Sequence, residues 1–135
     1  MDIKKLVKPN VLKLKAYQAE EIPCEVKLDA NESPYGFRVL NNVQTNKYPD
    51  PEAKELRKLF AGGLKVKAEN VLHGNGSDEL IYNLITTFGG PVLYPTPTFS
   101  MYGIIAQALG DKYYEVPLDD KFDLDMDGMN KQMIK

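Results

Sequence analysis

Residues 71–85 read VLHGNGSDELIYNLI, and the fold turns on how this run is read. An apolar pair leads through two glycines into a polar trio, and then the apolar spacing becomes helical. The pattern predicts a short strand in NVLHG (residues 70–74), a tight turn, and a helix from Ser77 to about Phe88. Leu80, Ile81, Leu84, Ile85 and Phe88 fall on one face of that helix. Glycine at 74 and 76 lets backbone approach a ligand where a side chain would block it. The first amides of a helix have no intrahelical acceptor and carry the positive end of its dipole, which makes a seat for an anion. A phosphate there would take the amides of Ser77 and Asp78 and the Ser77 hydroxyl. A plain capped turn, with Asn75 or Ser77 as the cap, reads as well from spacing alone. A nucleotide-triphosphate loop is excluded, because no Gly-Lys-Ser/Thr follows. The dinucleotide fingerprint also fails, with Glu79 standing where it wants a third glycine.

Downstream, GPVLYP (90–95) and KYYEVPL (112–118) read as strands, with SMYGIIAQALG (100–110) as a helix between them that stops at Gly110. Strands alternating with helices of this length predict βαβ units and a parallel sheet, so the fold class is α/β. Ligands of such sheets sit at the carboxyl ends of the strands. The prolines of LYPTPTFSMYG (93–103) stiffen that edge and present Phe99, a ring suited to stacking on a flat cofactor. Packing under the loop is the competing role for that ring.

Upstream, YPDPEAKELRKLFAGG (48–63) carries a complete helix signature. Asp50 is the expected cap, Pro51 the first helical residue and Gly62-Gly63 the exit. Ala53, Leu56, Leu59 and Phe60 form the expected buried stripe, with Lys54, Glu55, Arg57 and Lys58 on the wet face. EVKLDANESPYGF (25–37) predicts a short extended segment ending in a turn, where Asn31 and Tyr35, like Tyr48 further on, can touch a ligand or simply serve the turn. Residues 1–26, lysine-rich and broken by Pro9 and Pro23, read as a solvated arm with one short helix. FDLDMDGMNKQMIK (122–135) opens a further element, which predicts that the sequence is the N-terminal part of something larger.

The 135 residues carry a net charge of −2, so no basic field exists to attract nucleic acid or an anionic membrane. Cys24 is the sole cysteine, which excludes an internal disulfide and a cysteine-rich metal site. His73 is the sole histidine and is expected to be structural. No secretory leader and no apolar run near the roughly 18 residues of a membrane span is present, so the expected compartment is the cytoplasm.

Five segments in register resemble the N-terminal part of the histidinol-phosphate aminotransferase family, within the fold-type I pyridoxal-phosphate aminotransferases. They are AYQAE (16–20), KLDANESPYG (27–36), YPDPEAKELRKLFA (48–61), VLHGNGSDELI (71–81) and LYPTPTFSMYGIIAQALG (93–110). The resemblance implies an N-terminal arm over 1–30 and the first, incomplete part of the large cofactor domain over 31–135. It implies pyridoxal 5'-phosphate as cofactor, its phosphate held at Gly76, Ser77 and Asp78 and its ring covered by Phe99. It implies that Tyr48 reaches the cofactor phosphate of a neighbouring subunit, and that Tyr17 and Asn31 lie near substrate. The implied reaction moves an amino group between histidinol phosphate and 2-oxoglutarate, giving imidazole acetol phosphate and glutamate, in a homodimer. The family's Schiff-base lysine is expected beyond Lys135, so these residues alone are expected to be inactive. Of the two arginines, Arg38 and Arg57, the second falls on the wet face of a helix and is a poor substrate ligand. Threonine-phosphate decarboxylation and aromatic transamination share the same phosphate loop and remain alternatives, as does a non-catalytic phosphate-binding module.

Overall fold

A computed structural model describes residues 2–17, 23–37 and 44–133. In chain order the helices are α1 (Pro9–Leu12), α2 (Lys54–Leu64), α3 (Ser77–Phe88), α4 (Met101–Ala108) and α5 (Met126–Met133). The strands are β1 (Val92–Thr96) and β2 (Tyr113–Pro117), and single 3-10 turns stand at Ile3–Leu6 and Ala68–Asn70. The chain forms two compact units, one of residues 1–16 with 74–135 and one of residues 17–73.

The first unit is built on a parallel pair, with Val92 opposite Tyr113 and Thr96 opposite Pro117. Parallel strands require a crossover, and α4 supplies it. Alternation along β1 and β2 sends Val92, Tyr94 and Glu115 to one face and Val116 to the other. On the first face, Ile85 of α3 and Ile105 and Ala106 of α4 form the core, flanked by Ile81, Val92, Met101 and Leu109. On the second, α5 covers Val116 so closely that a methyl on Gly128 would lie 3.1 Å from it. Helices on both faces of a parallel pair make this an α/β layer arrangement, as the alternating pattern predicts.

Tyr94 is buried in the sheet, 6% exposed. Its hydroxyl donates to Glu115 on the adjacent strand at 2.7 Å. Its ring lies between those of Tyr102 and Tyr113, each centroid 6.2 Å away. Burial, followed by the bond to the Glu115 carboxylate, pushes the phenol up to about 12. Helix α4 crosses this ring at Gly103, where an added Cβ would collide with the Tyr94 hydroxyl oxygen. Only glycine fits that crossing.

The N-terminal residues are not uniformly solvated. The Lys8 amide donates to the Thr87 carbonyl at 2.9 Å, and its ammonium lies 3.8 Å from the half-buried Asp111 carboxylate. Asp111 also accepts from the Gly90 amide at 3.1 Å. The expectation of a wholly wet arm fails at Lys8 because this half-buried carboxylate is stabilised by a nearby counter-charge.

In the second unit, α2 begins later and ends later than its sequence signature predicts. Pro51 and Glu52 form a turn, Ala53 takes a left-handed backbone (φ 43°), and the helix proper starts at Lys54. Asp50 serves both pieces, accepting from the amides of Glu52 at 2.9 Å and Lys54 at 3.0 Å. Those bonds, the one from Lys54 first, hold its carboxyl below the usual carboxylate range. At the other end the helix runs through Gly62-Gly63. It stops at Lys65 (φ 55°), with the Val66 amide returning to the Ala61 carbonyl at 3.0 Å. This is a Schellman closure with lysine in the left-handed position that glycine more often takes.

Two further expectations for this unit are overturned. Leu56, Leu59 and Phe60 are exposed and only Ala61 of α2 is buried, so the predicted buried stripe faces outward. Arg57, expected on the wet face, is half-buried and donates to the carbonyls of Ala68 at 2.9 Å and Val71 at 3.0 Å. Five donors on a planar guanidinium suit it to closing the chain that follows the helix. Arg38 lies outside the described residues.

The predicted strand at NVLHG does not form. Val71 is extended, but no described residue pairs with residues 70–74, and the sheet has two strands rather than three. A parallel strand is fixed by its ladder to a neighbour, and apolar alternation alone cannot supply one. The segment at Val26 and Leu28 is likewise unpaired and exposed.

Candidate functional site

Helix α3 starts at Ser77, as its sequence pattern predicts. Gly76 precedes it with φ 82°, a left-handed backbone that favours glycine, and a Cβ there would meet nothing within 4 Å. Gly74 has a different reason to be glycine. An added Cβ would lie 2.9 Å from the Leu80 side chain, so the loop uses the space itself.

Neither Asn75 nor Ser77 caps the helix with its side chain. The Glu79 carboxylate turns back instead and accepts from the Asn75 amide. The bond reaches one residue before the N-cap Gly76, whose own amide donates to the Gly74 carbonyl, so it resembles a capping box shifted by one position. The amides of Ser77, Asp78 and Glu79 have no acceptor among the described residues, and neither does the Ser77 hydroxyl. Three uncommitted N–H groups and a hydroxyl at the positive end of a twelve-residue helix form a donor set matched to a phosphate. The plain capped turn accounts for the Asn75 amide and leaves these four donors unused.

Phe99 belongs to the same unit, in the loop that leaves the carboxyl end of β1. Its ring is half exposed and meets Tyr102 edge-on, centroids 6.2 Å apart at 88°. That edge-on contact orients the ring, which stays about half exposed.

The remaining predicted residues belong to the second unit. Asn31 and Tyr48 come together there, both lining an open depression of about 270 Å³ with Glu32, Ser33 and Lys47. Asn31 has φ 52°, a conformation asparagine tolerates better than most side chains. Tyr48 is 77% exposed, and its amide donates to the Glu32 carboxylate at 2.7 Å. Tyr17 is exposed, and residues 18–20 of its motif lie outside the described residues. Tyr35 is exposed and takes part in a local turn, its amide donating to the Ser33 hydroxyl at 3.2 Å. His73 and Cys24 are exposed. No described helix is long and apolar enough to cross a membrane.

Glu32 is a member of this depression that sequence reasoning passed over. Its signal was available, in an acid placed next to Asn31 within NESPYG, but its partner lies sixteen residues away.

A parallel strand pair layered between helices, with a bare helix terminus and an aromatic ring in the loop after the first strand, defines an α/β protein. A family model described as aminotransferase class I and II matches residues 9–135, and the chain belongs to that family. Among similar curated proteins is a histidinol-phosphate aminotransferase of Aquifex aeolicus (strain VF5), 44% identical over 90% of this chain and 38% of its own length. Another of that name, from Desulfitobacterium hafniense (strain DSM 10664 / DCB-2), is 41% identical over 97% of this chain and 41% of its own. A histidinol-phosphate aminotransferase 2 of Nitrosococcus oceani is 36% identical over 91% of this chain and 38% of its own. The chain thus spans about two-fifths of the length of these relatives.

Proposed function

We propose that this chain is the cofactor-seating portion of a pyridoxal-phosphate-dependent aminotransferase, one that transfers an amino group between histidinol phosphate and 2-oxoglutarate. The observation that carries the reading is the set of unfilled amides at Ser77, Asp78 and Glu79, in a stretch inside the family match. The shared name of the relatives supports the substrate.

In this reading those amides and the Ser77 hydroxyl hold the cofactor phosphate, with Gly76 leaving the approach open. Phe99 lies over the pyridine ring and keeps water from that face. The Tyr48 phenol reaches the cofactor phosphate of the second subunit in a homodimer, and Tyr17 and Asn31 stand near substrate. When bound, pyridoxal phosphate supplies the electron sink that loosens bonds at an amino acid's α-carbon. None of the lysines described here carries the cofactor, and these residues alone transfer no amino group. The enzyme works in the cytoplasm.

Replacing Asp78 by proline tests the seat, because proline deletes one amide yet fits the first turn of a helix. Titrating the full-length protein with pyridoxal phosphate, read by absorbance, is expected to show affinity lowered roughly tenfold or more for the variant. Unchanged affinity would overturn the seat. Glutamate formed from histidinol phosphate and 2-oxoglutarate, but not when threonine phosphate or phenylalanine replaces histidinol phosphate, is the expected substrate result. No glutamate from histidinol phosphate would remove the substrate assignment.

A further inference from the structure

In the second unit, three side chain-to-backbone bonds tie residues 32–37 to residues 45–48. The Tyr48 amide donates to Glu32 at 2.7 Å, the Asn46 side-chain amide to the Ser33 carbonyl at 2.8 Å, and the Phe37 amide to the Thr45 hydroxyl at 3.2 Å. The partners run in opposite directions along the two segments, so the bonds act as rungs between antiparallel stretches of chain. Only the first involves a carboxylate, and a charge-assisted bond of that length is about twice as strong as a neutral one.

That strongest rung ends on Tyr48 itself. Pro49 follows, and a residue before proline is restricted to extended backbone. Its amide pinned from one side and its ψ restricted from the other, Tyr48 has little freedom in the direction its side chain leaves the turn. The phenol at the end of that side chain has no hydrogen-bond partner among the described residues, and the ring is exposed. The chain therefore fixes the base of this side chain and leaves its tip available.

We propose that Glu32 is a positioning residue that aims the Tyr48 phenol at the cofactor phosphate of the second subunit. The inference rests on the function proposed above and adds a residue to it. A misplacement of about 1 Å in such a contact is enough to weaken it severely. Glu32 is thus expected to matter for cofactor affinity beyond its effect on folding.

The test uses the full-length protein and pyridoxal phosphate as the probe, with dissociation constants from absorbance titration and a thermal melt of each variant without cofactor. Glu32→Ala is expected to weaken cofactor binding about tenfold, close to the loss from Tyr48→Phe. The double variant is expected to bind no more weakly than Tyr48→Phe alone, since both remove one interaction. Glu32→Gln keeps an acceptor oxygen and is expected to restore most of the affinity. Asn46→Ala breaks the neighbouring rung without touching Tyr48, and is expected to lower the melt but leave affinity near wild type. Unchanged affinity in Glu32→Ala, additive losses in the double variant, or an equal loss in Asn46→Ala would overturn the positioning role. A wild-type protein that takes up no pyridoxal phosphate would overturn the proposed function, and this role with it. Uptake by wild type together with a silent Glu32→Ala would overturn this role alone.

Discussion

Helices α2 and α4 both carry apolar stripes at helical spacing, and their fates differ. In α4, Ile105 and Ala106 are buried against α3 and β1, and Gly103 lets the helix settle onto Tyr94. In α2, Leu56, Leu59, Phe60 and Leu64 stay exposed and line an open groove with Gly63. Both helices form, because capping and spacing are local properties. Burial is not local, since it needs a second layer at the right height, and among the described residues of its own unit α2 meets the short Ala68–Val71 segment that Arg57 gathers in. An amphipathic pattern predicts which face is able to be buried, and the partner layer decides whether it is.

The contrast can be broken most forcefully in the core. Ile105→Ala is expected to cost about 2–5 kcal/mol in urea unfolding, whereas Leu59→Ala on exposed α2 should stay within about 0.5 kcal/mol. Equal costs would mean that α2 is as well covered as α4. Next in size, Gly103→Ala forces a methyl into the Tyr94 hydroxyl and should cost about 1–3 kcal/mol. Pairing it with Tyr94→Phe, which removes the struck oxygen, is expected to recover part of that loss.

A smaller effect follows from the phenol of Tyr94, pushed up to about 12 in the folded chain from an ordinary value of 10.0. The folded state keeps its proton longer than the unfolded one, so this contribution is fully present below pH 10 and is lost as pH rises toward 12. Unfolding midpoints measured across that window should fall in wild type and fall less in Tyr94→Phe. The smallest effect has the opposite sign. Gly62 lies inside α2 with nothing within 4 Å of a built Cβ, so Gly62→Ala should stabilise by about 0.5–1 kcal/mol. Destabilisation there would show that the groove is tighter than its open walls indicate.

Local signals made much of this fold legible. Ser77–Phe88, the two strands and the helix between them stand where the sequence puts them, because caps, glycines and periodicity act within a few residues. The failures are non-local. NVLHG has strand chemistry but no ladder partner among the described residues, and Gly62-Gly63 permits a helix end without compelling one. Arg57 looked solvent-facing because its acceptors, Ala68 and Val71, are supplied by chain that only the fold brings back.

The candidate site divides in the same way. The bare amides after Gly76 were readable from the motif, since a helix start leaves its first donors unfilled by construction. The role of Gly74 was not, because its neighbour is the Leu80 side chain. The bond from Tyr48 to Glu32 spans sixteen residues, a distance over which sequence spacing carries no geometric information.

The close crossing of Gly103 over Tyr94 reaches beyond stability. Only Pro97, Thr98, Phe99 and Ser100 separate the last residue of β1 from the first of α4, so the height of the helix sets how much slack this connector has. A larger side chain four positions downstream would lift the helix and drag Phe99 with it. The aim of an aromatic ring is here governed by the absence of a methyl group elsewhere, and a screen of ring position by fluorine resonance at Phe99 would register substitutions that never touch it.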